Sequence, residues 1–272
     1  MKLGLTLPSF RDDPTPAIEM ARIAEQSGLD GVFAYDHLFR RATDGRQRPA
    51  LELLTLLGAV AAETSRITLG SLVARATLRP AATLASGLDT LARIAGRDRL
   101  IVAIGAGDEE SREENESFGL GFGTVEDRVV ALRDAVDAAR DQGFPVWVGG
   151  IDRPVREVAA AHADGWNRWG GGVDRFRAQG DALRVAAART PFTLSWGGLI
   201  VLDGDAAAAR AKAERLSAST DAIVGGPELV AGALRAYRDA GAEWLIVGPV
   251  DSSNPYNAQL LGEEVLPRLR SG

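Results

Sequence analysis

Two histidines occur in this chain, and one of them sits where an apolar run ends: Gly31–Tyr35 is followed at once by Asp36 and His37. An imidazole gives or takes a proton near neutral pH, and an adjacent carboxylate can orient it. The same pair also suits plain hydrogen bonding at a strand end. A second apolar run ends in IGAGDEESREE. Gly105 and Gly107 let a flat molecule or a phosphate approach the backbone, and Asp108 or Glu109 then stands as an acid beside it. The alternative is a tight turn leading into an acidic helix start.

Two further segments repeat the strand-then-glycine pattern. After PVWV come Gly149 and Gly150, then IDRP and a helix, so main-chain N–H groups there face an anion or form an ordinary βα turn. In WNRWGGG, residues 166–172, the tryptophans wall a planar ligand or pack in the core, and Gly170 and Gly171 open a phosphate cradle. His162, inside AAAHADGW, reads as structural, and Gly225–Pro227 as a cap and turn.

Several chemistries are excluded. There are no cysteines, and the two histidines are far apart with no HxxxH or HExxH spacing, so no metal site is expected. No G-x-S-x-G elbow and no Walker loop occur. A net charge of −6 gives no global basic field for nucleic acid or anionic lipid. The opening MKLGLTLPSF is too short an apolar run for a signal peptide, and no run of about 18 apolar residues follows, which suggests a cytoplasmic protein.

Elements must bring these residues together. Apolar β-type runs lie at Leu3–Leu7, Gly31–Tyr35, Arg66–Val73, Arg99–Ile104, Pro145–Val148 and Trp244–Val247, with weaker ones at Asp164–Arg168 and Phe192–Val201. Continuous apolar runs fit strands buried on both faces of a parallel sheet. Between them, helical spacing fits Pro16–Gly28, Ala50–Thr64, Ala81–Ile94, Thr124–Gln142, Pro154–Ala163, Asp174–Ala188, Asp205–Ala218 and Pro227–Ala240, and Asn257–Arg270 closes the chain. Eight strands alternating with helices, without a break in composition, predict one α/β domain over residues 1–272, a closed (β/α)8 TIM barrel. A doubly wound sheet would carry a glycine-rich loop after its first strand, and LPSFRDDPTP has none. Tyr35–Pro49 and Gly105–Gly123 are longer than simple connectors, and in a barrel both lie on the catalytic face.

Read together, SGLDGVFAYDHLF, ETSRITLGSLVARATLRPAATLASGLDTLARIAGRDRLIVAIGAG, ESFG, FPVWVGG, AAAHADGW and IVGGPELVAGALRAYRDAGAEWLIVGP resemble the luciferase-like monooxygenase superfamily. That resemblance implies a flavin-type redox enzyme using coenzyme F420, with FMN as the alternative. It puts Asp36 and His37 beside the cofactor, makes Gly105, Gly107 and Asp108 the turn after the fourth strand, and gives Gly149 and Gly150 the phosphate-bearing tail. It also implies a non-proline cis peptide and bulge at Leu72–Val73 backing the ring, with Ser71 and Arg75 flanking; Arg75 departs from the smaller polar residue common there. In the F420 version a hydride passes between cofactor and a small organic substrate. His37 handles the proton and Asp108 or Glu109 is a second acid. In the FMN version a separate reductase supplies reduced flavin for oxygenation. A barrel that binds flavin without turnover is the third possibility. The resemblance further implies a homodimer, and Phe10, Phe39, Phe118, Phe122, Trp166 and Trp169 are expected to wall an organic, weakly charged substrate.

Overall fold

Eight parallel strands carry the architecture in the computed structural model, which describes residues 1–41 and 45–271. They are β1 (Lys2–Thr6), β2 (Gly31–Ala34), β3 (Thr68–Ser71), β4 (Leu100–Gly105), β5 (Val146–Gly149), β6 (Gly165–Trp169), β7 (Thr193–Leu202) and β8 (Trp244–Pro249). Each pairs with the next, and β8 also pairs with β1, so the sheet closes into the expected barrel. Around it lie α1 (Thr15–Gln26), α2 (Leu53–Glu63), α3 (Ala81–Ala95), α4 (Arg112–Ser117), α5 (Val125–Asp141), α6 (Arg153–His162), α7 (Val173–Ala186), α8 (Ala206–Arg215) and α9 (Pro227–Asp239). In α1 the buried residues Ala17, Met20, Ala21 and Ala24 fall at helical spacing on one face. In α5 the Thr124 hydroxyl accepts from Asp127 N–H while the Asp127 carboxylate accepts from Thr124 N–H, a reciprocal cap.

The barrel interior is filled by a few large rings set against glycines. Phe33, Trp147 and Trp244 form a cluster with Leu72, Ala103 and Ile246, separate from the larger core between sheet and helices. A Cβ on Gly4 would lie 2.7 Å from Phe33, one on Gly70 2.3 Å from it, and one on Gly31 2.8 Å from Trp244. Rings from three strands therefore occupy space that neighbouring strands vacate by having no side chain.

Four expectations need correction. The segment Tyr35–Pro49 is not a plain loop: Phe39–Arg41 and Gln47–Pro49 pair as an antiparallel hairpin, while residues 42–44 of that stretch lie outside the described residues. Gly105–Gly123 carries α4. The third strand, expected over Arg66–Val73, is interrupted. Gly70 pairs with Ile101 and Ala74 with Ile104, so the third strand advances one residue more than β4 between the same points, which is a bulge. The Leu72–Val73 peptide within it is cis, as the resemblance implied. The closing helix also departs from a uniform one, with a π-type turn at Leu261–Val265 between Tyr256–Leu260 and Leu266–Ser271.

Candidate active site

Asp36 and His37 follow the end of β2 and engage different partners. Asp36 is buried and, among the described residues, makes no hydrogen bond to His37. It accepts from the Arg79 guanidinium at 2.7 and 3.0 Å and from Arg75 N–H at 2.8 Å, and Arg79 also reaches Glu52 at the start of α2 at 2.5 Å. The acid on His37 is Glu114 of α4, at 2.7 Å from Nδ1. Its second oxygen accepts from Leu38 N–H at 2.8 Å and from buried Arg75 at 2.9 Å. Asp36 therefore does not orient His37, as its adjacency had suggested. Burial works to raise the Glu114 carboxyl, but hydrogen bonds from His37 and Leu38 N–H and the charges of His37 and Arg75 outweigh it, leaving the group below the usual range.

The bulge at the end of β3 builds the opposite wall. It leaves Ala103 without a partner on β3, though still paired with Trp147 of β5, and the Ser71 hydroxyl serves its backbone groups, accepting from Ala103 N–H at 2.9 Å and donating to its carbonyl at 2.7 Å. Leu72 is buried within the barrel cluster, and half-buried Val73 packs against that cluster from the mouth side. A Cβ on Gly105 would lie 2.5 Å from one Val73 methyl, and one on Gly149 2.4 Å from the other. These two glycines thus make room for the Val73 side chain rather than for a ligand directly. Gly107 has φ 76°, a left-handed conformation that favours glycine, beside Thr77 and Arg75.

Beyond Gly149 the buried Arg168 lies close to Arg156 and Arg175. The Gly150 carbonyl accepts from the buried Trp166 indole at 2.7 Å, and the Gly170 and Gly171 carbonyls accept from Arg168 Nε at 3.0 Å and the Tyr237 hydroxyl at 2.7 Å. The loop is tied down through its carbonyls, leaving the first N–H groups of α7 without intrahelical acceptors. Burial lowers the Arg168 pKa, and the nearby charges of Arg175 and Arg156 lower it further, against an opposing effect of Tyr237. Among the described residues none of Arg156, Arg168 and Arg175 forms an ion pair, so three guanidiniums gather here without a carboxylate.

The remaining candidates separate. Asp108 caps the turn that follows it, accepting from Ser111 N–H at 3.0 Å and its hydroxyl at 2.8 Å, and Glu109 is an exposed partner of Arg112. Of the expected aromatic walls, Phe10 and Trp169 do stand at the mouth, with Tyr35 between them: Phe10–Tyr35 centroids are 6.0 Å apart, Tyr35–Trp169 6.0 Å and Phe10–His37 5.3 Å. The half-buried Tyr35 phenol, hydrogen-bonded to Thr6, is pushed up to about 12 by burial. Trp166 instead stacks on Phe176 of α7 in the outer core, Phe39 is buried in the hairpin, and Phe122 is buried beneath the Arg112 and Arg128 guanidiniums. His162 pairs with Asp137 on the helical layer, as a structural histidine should. Reading along the chain missed Glu114, Tyr35, Arg79 and Arg168. Only the ESFG segment that follows Glu114 carried any signal for it.

Comparison with known proteins follows this geometry. A family model described as luciferase-like monooxygenase matches residues 1–222. An F420-dependent glucose-6-phosphate dehydrogenase of Beutenbergia cavernae is 34% identical over 138 residues, which cover 50% of this chain and 39% of that protein. One of Nakamurella multipartita is 33% identical over 151 residues, 55% of this chain and 41% of the relative. The matched stretch thus spans about two fifths of these relatives. Among solved structures, an F420-dependent secondary alcohol dehydrogenase in complex with an F420-acetone adduct superposes with TM-score 0.83 over 99% of both chains at 16% identity. A long-chain alkane monooxygenase does so with TM-score 0.81 over 100% of this chain and 91% of its own at 14% identity. These two likenesses establish the fold.

Proposed function

Because this chain belongs to the luciferase-like monooxygenase family, we propose that it is an F420-dependent oxidoreductase transferring a hydride between the deazaflavin and an organic substrate. The observation that carries this reading is the half-buried Val73 side chain seated between two glycines, facing a mouth whose far rim holds three guanidiniums that form no ion pair among the described residues. That donor set fits a flat ring with an anionic tail: Val73 backs the ring, and Arg156, Arg168 and Arg175, with the start of α7, hold the phosphate. Gly150 and Gly170 shape the loops that present those groups. When bound, the deazaflavin supplies the two-electron hydride chemistry that no side chain can.

The chain's own part is the proton. Glu114 engages His37 Nδ1, which fixes the ring and leaves Nε2 as the nitrogen to hold or deliver a proton at the substrate oxygen. Arg75 keeps Glu114 ionised, and Asp36 fixes the Arg75 backbone and Arg79 beneath. Asp108 serves the turn that supports α4, and so acts through Glu114 rather than on substrate.

Titration of the purified protein with F420 and with FMN, followed by tryptophan fluorescence, tests the cofactor. Trp169, partly exposed at the mouth, is the reporter. Micromolar quenching by F420 and none by FMN is expected; the reverse would overturn the reading. His37→Ala should then lower turnover about 100-fold with F420 affinity retained.

A further inference from the structure

We infer that the substrate carries an oxyanion, a carboxylate or a phosphate, and that Arg40 and Arg48 on the hairpin over the mouth select it. This rests on the catalytic reading above and adds the substrate class. The hairpin registers Arg40 directly opposite Arg48, so both side chains leave from the same face. Like charges in that arrangement repel and destabilise a hairpin. Among the described residues neither arginine's side chain forms an ion pair or a hydrogen bond, and both residues are exposed. Arg41, one position on and on the other face, is paired with Glu113 of α4. One face of the hairpin is therefore neutralised and the other left as a bare double cation.

That bare face belongs to the site. The Arg40 guanidinium lies 5.4 Å from the centroid of Phe10, whose ring is 5.3 Å from that of His37. Its charge also reaches Tyr35, acting to lower the phenol pKa against the dominant effect of burial. The hairpin is held in place at its base, where Ala50 N–H donates to the Leu38 carbonyl at 3.2 Å and Leu51 N–H to the Ser9 carbonyl at 2.8 Å. Glu113 and Glu114, neighbours on α4, grip the hairpin and His37 respectively, so the cations and the proton carrier are set by one short helix. In a chain of net charge −6, such a spot draws anions to the mouth.

A second source of oxyanion, the cofactor's phosphate, is met elsewhere. In the closed ring β2 and β6 are four strands apart, hence diametrically opposed, and Arg168 stands on β6. The two cation groups flank the mouth from opposite sides, one for each anion. Of the aromatic residues that suggested an uncharged substrate, Trp166, Phe39 and Phe122 are buried, while Phe10 and Trp169 stay at the mouth, where Phe10 lies beneath the Arg40 guanidinium.

The test is calorimetric titration of the cofactor-free protein with inorganic phosphate and, separately, with succinate, in an Arg168→Gln background that weakens the opposite anion site. Adding Arg40→Gln and Arg48→Gln should weaken the tighter of the two probes about tenfold or more, and raised salt should weaken binding before but not after the change. The tighter probe tells phosphate from carboxylate. Thermal melting should show the double substitution unchanged or stabilised, because repulsion is relieved, and F420 titration of the double variant with Arg168 intact should match the parent. Equal probe affinity with and without the two arginines overturns the inference. Arginine-dependent probe binding, when the parent protein with Arg168 intact takes no F420, would sink the cofactor assignment and leave this one standing.

Discussion

At His37 the decisive contact is made by an acid 77 residues further along the chain. Position 36, next to it in sequence, is committed to a different job. Its carboxylate sits on Arg79 and the Arg75 backbone, so the two neighbours belong to different networks that meet at Arg75, whose N–H serves Asp36 and whose guanidinium serves Glu114. The networks give different expectations. Glu114→Gln keeps a hydrogen-bond acceptor but removes the charge that holds the imidazole in one tautomer. Turnover should fall about 10- to 100-fold with little change in cofactor affinity, a split that steady-state kinetics beside binding titration would reveal. Asp36→Ala leaves Arg79 half-paired and Arg75 N–H without its acceptor. A loss of about 3–5 kcal/mol in denaturant melts is expected, because an uncompensated buried group is the costly outcome. If Asp36→Ala melts like the parent but loses turnover, the assignment of the two acids is inverted.

Among the elements, the end of β3 is the one that makes the site. Its bulge brings Val73 to the mouth, Ser71 repairs the ladder, and β4 and β5 contribute glycine where any side chain would collide with Val73. This predicts a coupling that single substitutions would miss. Gly149→Ala places a methyl 2.4 Å from Val73 and should weaken F420 binding about tenfold or more by displacing that side chain. Val73→Ala in the same chain removes the collision, so the double variant should bind better than Gly149→Ala alone. A double variant no better than the single one would mean that Gly149 contacts the ligand itself. The hairpin after β2 and the short α4 after β4 are the other site-making elements, and both arise in segments longer than a βα connection requires.

For the whole molecule, stability rests on a barrel packed from inside by rings and from outside by helices. Gly70→Ala forces a methyl to 2.3 Å from Phe33, where neighbouring strands leave no room to yield. A cost of about 1–3 kcal/mol, a Tm drop of several degrees, is expected. Acid should also unfold the chain in a recognisable way. The folded Glu114 carboxyl lies below its unfolded value of 4.5, as does that of Glu52. Their contribution is therefore complete above that value and disappears as pH falls through the lower, folded one. Tm should fall steeply below about pH 4.5, and Glu114→Gln should flatten part of that fall. An unchanged acid limb in the variant would show that Glu114 is not held ionised by its neighbours.

Alternating apolar strands and amphipathic helices were legible along the chain because period and burial are local properties, and the same holds for the glycines that end β4 and β5. The resemblance also located the cis peptide at Leu72–Val73. Other features had no local signature. The barrel had to close before Glu114 could meet His37, Arg79 meet Asp36, or Arg156, Arg168 and Arg175 gather without a carboxylate. It also moved Trp166 outward against α7 and spent Gly105 and Gly149 on Val73. Sequence fixes which residues alternate and where turns fall, since those depend on neighbours within a few positions. Which charges end up facing one another depends on the path of the whole chain, and only the tertiary structure decides that.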